Sequence, residues 1–336
     1  MKKYLKLSQL NKLFNVLGFD AKKLSITILT LIAICTTPSM LMAATTSKPH
    51  INVVSSIKPI QLITTAVIGN LGDSKILLPP SANPHSYQLR PSQRALLNDA
   101  DLFVWVGPEL ELFLVKVLKT SNVKQLALTT TLNLHSKQSD ELTTEHDANE
   151  GYEHSHDEHS HDIHSEGFDP HIWLNPALTE QIAKAIHFQL STQYPNLKPQ
   201  LNQNLSQFIT RLHTTEVEIA KRFESKHQIA IYTFHEAFTH FADHYGLQIA
   251  GTITRTPEAR PGAKHLSELA DEIRQNKKIC LIKEPNFKAP YIDNITRGTD
   301  VILATADPLA TNISNTDTGY FQFIRSIADS FYQCIH

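Results

Sequence analysis

Two α/β lobes, each built on a parallel sheet and joined by one long rigid helix, are predicted by three features of this 336-residue sequence. Short β-rich runs alternate with amphipathic stretches in the first half, and the same alternation returns after about residue 226. Between them, 198–226 carries apolar residues at helical spacing without a glycine. Strands that alternate with helices are joined by crossovers, which gives parallel sheets covered on both faces.

The elements follow in chain order. Lys2, Lys3, Lys6, Lys12, Lys22 and Lys23 precede the apolar run LSITILTLIAIC (Leu24–Cys35), and LMAA (Leu41–Ala44) offers small residues for cleavage. That is the pattern of a secretory signal peptide over 1–44, cleaved near Ala43 or Ala44. A membrane anchor is the weaker alternative, because about 20 apolar residues are needed to span a bilayer. Lipidation at Cys35 is disfavoured by Ile34, which stands where a small residue is usual. Removal of the signal leaves Cys280 and Cys334. In an oxidising compartment they read as one disulfide, with two buried free thiols as the alternative.

The first lobe is expected over 50–197. Its strands are INVVSSI (Ile51–Ile57), KILLPP (Lys75–Pro80) and DLFVWVG (Asp101–Gly107), with helices around Gln61–Gly69, Pro91–Ala100 and Glu109–Lys119. Inserted in it, 136–167 is rich in His, Asp, Glu, Ser and Thr. It lacks the apolar surface that would offset the entropy of folding and is expected to be a disordered loop. The linking helix (198–226) places Leu201, Leu205, Phe208, Leu212, Ile219 and Phe223 along one face. The second lobe (227–336) has strands IAIYTF (Ile229–Phe234), LQIAGTI (Leu247–Ile253), ICLIKE (Ile279–Glu284) and VILATA (Val301–Ala306). Helices near Glu236–His244, Ala263–Gln275 and Pro290–Arg297 complete it.

In open parallel sheets ligands bind beyond the carboxyl ends of the strands, where loops and helix N-termini converge. His85 follows KILLPP, His235 follows IAIYTF, Glu284 follows CLIK and Asp307 follows VILATA, while His171 lies in DPHIWLNP before a helix starting near Ala177. Singly, each has an ordinary explanation: a histidine after a strand is commonly a surface residue, and Asp307 before Pro308 suits a turn. Together, three imidazoles and a carboxylate drawn from both lobes point to a metal site in the interlobe cleft. Trp173 and Phe234 read as core residues and Arg260 as a solvated charge. His146, His154, His156, His159, His161 and His164 belong to the polar insert, where bound metal must also order the chain. They are expected to hold additional ions weakly, beside one tight ion near His171.

Several functions are excluded. With 31 Lys and Arg against 33 Asp and Glu, a net charge of −2, the chain lacks the basic excess of a nucleic-acid binder. HEAFTH (His235–His240) separates its histidines by five residues, which turns the second roughly 140° around a helix from the first, so it is no metalloprotease motif. HSHDEH (His154–His159) imitates a dinuclear hydrolase signature, but no apolar strand holds it rigid. Glycine-rich phosphate loops and nucleophile elbows are missing from the sequence. A binding protein is expected rather than an enzyme, a zinc hydrolase being the rival from another class.

SANPHSYQLRPSQRALLNDADLFVWVGPELE, HIWLNP, FHEAFTHFADHYGL, EARPGAKHL, EPNF and ADPLAT resemble, in order and from about Ile51 to the end, the periplasmic component of zinc-uptake ABC transporters, the ZnuA type. The resemblance implies zinc (Zn2+) bound between the lobes and delivered to an inner-membrane permease by a periplasmic protein that docks transiently, as a monomer. It carries the ligand role onto His85, His171 and His235, with Asp307 at the position that supplies a carboxylate in many relatives. Pro84 departs from zinc relatives that have an acidic residue before the first histidine, leaving the fourth ligand open between Asp307, Glu284 and a water. A disulfide like Cys280–Cys334 is also a feature of the zinc branch. Manganese-binding or adhesin-type relatives are the alternative within the family. The imidazole at His235, where manganese relatives tend to have Glu, favours zinc, which takes nitrogen ligands in tetrahedral geometry.

Overall fold

The computed structural model describes residues 50–134, 168–224, 229–276, 278–285 and 292–336. The signal-peptide reading of 1–44 and the accessory histidines of 136–167 lie outside them. Two four-stranded parallel sheets are present, in the orders β2-β1-β3-β4 and β6-β5-β7-β8. The first lobe comprises β1 (Ile51–Ser55), β2 (Gly72–Ile76), β3 (Leu102–Trp105) and β4 (Gln125–Ala127), with α1 (Lys58–Ile68), α2 (Pro91–Asn98) and α3 (Leu112–Leu118) between them. α4 (Pro176–Gln193) and α5 (Lys198–Arg222) follow. β5 (Ala230–His235), α6 (Thr239–His244), β6 (Ile249–Thr254), α7 (Ala263–Gln275), β7 (Lys278–Lys283), β8 (Asp300–Thr305) and α8 (Gly319–Ile335) form the second lobe.

The apolar runs become the central strands because both faces of a covered parallel sheet are buried. Every residue of β3 (LFVW) is buried. The edge strand β2 has a half-exposed, polar sequence, GDSKI. It starts earlier than the apolar KILLPP suggests, since its ladder with β1 opens at Gly72 opposite Ile51. A Cβ at Gly72 would fall 1.8 Å from the Ile51 carbonyl oxygen, so only glycine permits that approach. Leu77 and Leu78 nonetheless donate to Ser55 and Ser56 carbonyls at 2.8 and 3.0 Å, extending the strand's backbone contacts to the loop that follows. Of the helix expected over Pro290–Arg297, the described residues form one turn, Ile292–Ile295.

α5 spans about 37 Å at 1.5 Å per residue and turns its apolar stripe inward. Leu201, Phe208, Leu212 and Ile219 are buried along it, each contributing about 2 kcal/mol. It packs against α1, α4 and α8. Phe208 meets Tyr320 and Phe321 at 5.9 and 5.3 Å between ring centroids, while Phe223 just beyond the helix meets Phe241 and Tyr245 at 6.2 and 5.7 Å. One apolar core therefore runs through both lobes. Cys280 on β7 and Cys334 on α8 are disulfide-bonded, with 5.2 Å between Cα atoms, and pin the last helix to its sheet. Among the described residues no helix is long and apolar enough to cross a membrane.

Glu111, the residue before α3, is fully buried and reaches back past the end of β3, accepting from the Val106 and Gly107 N–H groups at 2.9 and 3.1 Å. Burial, with the charge of Glu109 adding, pushes its carboxyl from the ordinary 4.5 up to about 7 against those donors. The folded state thus holds a proton that the unfolded state has already lost. The stability this contributes is full below pH 4.5 and is lost as pH rises through about 7. Glu111→Gln keeps an acceptor without the charge, so urea midpoints should fall less between pH 5 and pH 8 in the variant than in the unmodified protein. Parallel pH profiles would contradict the assignment.

Candidate metal centre

Each imidazole reaches the site from a different kind of element. His235 is the last residue of β5, at the carboxyl end of a central strand. His171 precedes the 3-10 turn Ile172–Leu174, whose exit is fixed by Asn175: its Oδ1 accepts from the Ala177 and Leu178 N–H groups at 2.8 and 3.2 Å and starts α4. His85 lies in the loop between β2 and α2. His171 and His235 are each 2% exposed, and His85 is half-buried.

One ligand atom from each of the three lies within 4.8 Å of the others. Ring centroids are 5.4 Å apart for His85 and His171, 5.9 Å for His85 and His235, and 5.2 Å for His171 and His235. Two carboxylates hold rings from behind. Asp169 Oδ1 lies 2.7 Å from His171 Nδ1 and also accepts the His171 backbone N–H at 2.9 Å. Glu284, 3% exposed, meets His235 Nδ1. These partners put the protons on the two Nδ1 atoms and leave both Nε2 lone pairs facing the same space. The two Nε2 atoms are 3.4 Å apart. Two nitrogens bound tetrahedrally to one zinc at 2.0–2.1 Å would be about 3.3 Å apart, so the spacing fits a shared ion.

Carboxylates backing metal-facing imidazoles fix ring orientation and raise ligand basicity. Burial on its own would raise Asp169, but the neighbouring His171, through its charge and hydrogen bonds, together with His240 holds the carboxyl below its usual value. His240 reaches across from α6, its Nε2 2.8 Å from the Asp169 carbonyl oxygen. Trp173 is buried edge-on to His171 at 5.2 Å and donates Nε1–H to the Pro308 carbonyl at 2.8 Å. Tyr320 on α8 donates its hydroxyl to the Trp173 carbonyl at 2.8 Å. The His171 turn is thereby held from the second lobe as well as from its own.

Asp307 is outside the cluster of ligand atoms identified among the described residues. Its Oδ1 accepts from Leu309 N–H at 3.0 Å and its Oδ2 from Thr311 N–H at 2.7 Å, the bonding of an Asx turn. Glu284 reaches the centre through His235. Trp173 and Phe234 are buried, and Arg260 is exposed. Sequence reasoning missed Asp169 and His240. Asp169 had a local signal, a carboxylate two residues before a histidine in DPH, whereas His240 meets it only through tertiary packing.

Replacing Asp169 with Ala should lower zinc affinity about tenfold or more, by freeing the His171 ring and its backbone turn. Competition against a chromophoric chelator measures this directly, and unchanged affinity would remove Asp169 from the support of the site.

Two parallel-sheet lobes with imidazoles drawn from both have the build of a two-lobed solute-binding protein. The family model ZnuA, described as zinc-uptake complex component A, periplasmic, matches residues 53–334, and the chain belongs to that family. It is 33% identical over 289 residues to the high-affinity zinc uptake system protein ZnuA of Yersinia pestis, covering 84% of this chain and 91% of that protein. It is 34% identical over 308 residues to the protein of that name from Haemophilus ducreyi, covering 88% and 97%. A solved structure of ZnuA shares the fold, with a TM-score of 0.67 at 22% identity, over 85% of this chain and 100% of the other.

Proposed function

We propose that this chain captures zinc in the periplasm with high affinity and delivers it to the permease of a zinc-uptake ABC transporter, with His85, His171 and His235 as ligands. The observation that carries the reading is the pair of carboxylate-backed imidazoles whose Nε2 atoms stand 3.4 Å apart. Family membership supports it. Three neutral nitrogen donors suit zinc better than manganese. In this reading Glu284 stays on His235, Asp307 stays on its two backbone N–H groups, and a water completes the shell. An open position suits a carrier that must release its ion. The protein works by binding and release, without a chemical step, as a monomer that docks transiently on the permease.

The segment 1–44 directs export and is removed. Histidines of 136–167 supply a second, weak class of zinc sites that fades as pH falls through about 6.5, where unperturbed imidazoles protonate. Elemental analysis of the mature protein, after competition between zinc and manganese at equal concentrations, tests the metal assignment. One retained zinc per tight site is expected, and retained manganese would contradict it.

A further inference from the structure

His85 is the least buried of the three imidazoles, and its loop is held from the opposite lobe by one exposed carboxylate. Glu258 lies in the connection between β6 and α7. Its Oε1 accepts from the Asn83 side-chain amide and, at 3.0 Å, from the Ser86 hydroxyl, the residues on either side of Pro84 and His85. The Asn83 amide is a relay. While its Nδ2 donates to Glu258, its Oδ1 accepts the His85 backbone N–H at 3.0 Å. On the first lobe's side, the loop is held at its two ends by Gln93, which donates to the Leu77 carbonyl at 2.6 Å and accepts from Arg90 N–H at 2.8 Å. Gln93 also donates to the Tyr87 hydroxyl at 3.2 Å, which steadies the loop just past the imidazole from its own lobe, while Asn83 and Ser86 are tied across to Glu258.

We propose that Glu258 is a positioning residue for zinc retention: by tying Asn83 and Ser86 across the lobes it keeps His85 over the ion and sets the rate at which zinc escapes. The inference rests on the reading of His85 as a ligand. Loss of the tie leaves His171 and His235 in place, because their supports come from Asp169 and Glu284, so the ion is still captured. What changes is the ease with which the half-buried ring swings away. A second contact between the lobes, Thr311 Oγ1 to the Pro80 carbonyl at 3.3 Å, remains when Glu258 is removed.

The test compares Glu258→Ala and Glu258→Gln with the unmodified protein. Zinc is loaded, the protein is mixed with excess chromophoric chelator in a stopped-flow instrument, and stoichiometry and the melting of zinc-free protein are measured alongside. Losing two exposed hydrogen bonds should speed zinc release about tenfold in Glu258→Ala. One tight zinc per chain should remain, and the zinc-free protein should melt unchanged. Glu258→Gln keeps an acceptor and should release within about threefold of the unmodified rate. Release from Glu258→Ala at the unmodified rate, or from Glu258→Gln as fast as from Glu258→Ala, overturns the proposal while leaving the zinc site intact. Absence of tight zinc from the unmodified protein overturns both.

Discussion

Alanine at His171 or His235 should weaken tight zinc binding about a hundredfold or more, and alanine at His85 well over tenfold. In the proposed site each imidazole is one corner of a tetrahedral shell. The buried pair has rings set before the ion arrives, so little ordering cost accompanies binding there. Removing His235 has a further consequence: Glu284, buried beside it, loses its ring partner and is left as an uncompensated buried carboxylate. Calorimetry with a competing chelator separates the variants, with circular dichroism to show that each still folds. Tight affinity unchanged in any one would exclude that residue from the shell.

The disulfide should have the largest effect on folding. Cys280 and Cys334 are fully buried and lie 54 residues apart. Closing a loop of that length stabilises the fold by about 4 kcal/mol in the chain-entropy account. The bond also secures α8, which packs on α5 and α1. Replacing both cysteines with Ser should therefore lower the urea midpoint sharply, and the loss should extend beyond the second lobe because its last helix is part of the shared core. A midpoint equal to that of the unmodified protein, or two alkylatable thiols in the native exported chain, would contradict this.

Both sheets were legible because their central strands are continuous apolar runs, such as DLFVWVG and ICLIKE, that only a doubly covered parallel sheet buries. The edges were less so. Gln125–Ala127 forms β4 with three residues, too few to show a period, and β2 is polar because its outer side faces solvent. The long helix announced itself through Leu201, Phe208, Leu212 and Ile219. Strand-end position and motif drew attention to His85, His171 and His235. The groups that make them useful were hidden. Glu284 was visible as a carboxylate after a strand, but only packing shows it behind His235 instead of among the ligand atoms. Asp307 has the same strand-end signal, and packing shows each of its oxygens accepting one neighbouring N–H group. Glu258 contacts Asn83 from 175 residues away, a separation that no local pattern encodes.

Zinc-edge anomalous diffraction from crystals of the mature, zinc-loaded protein tests the central claim most directly. The account predicts the strongest peak between His85, His171 and His235, with zinc–nitrogen distances of about 2.0–2.1 Å, and the same peak in a variant lacking 136–167. A strongest peak elsewhere, or its disappearance from a folded variant lacking 136–167, would show that the histidine-rich segment, rather than the cleft between the lobes, holds the tightly bound ion.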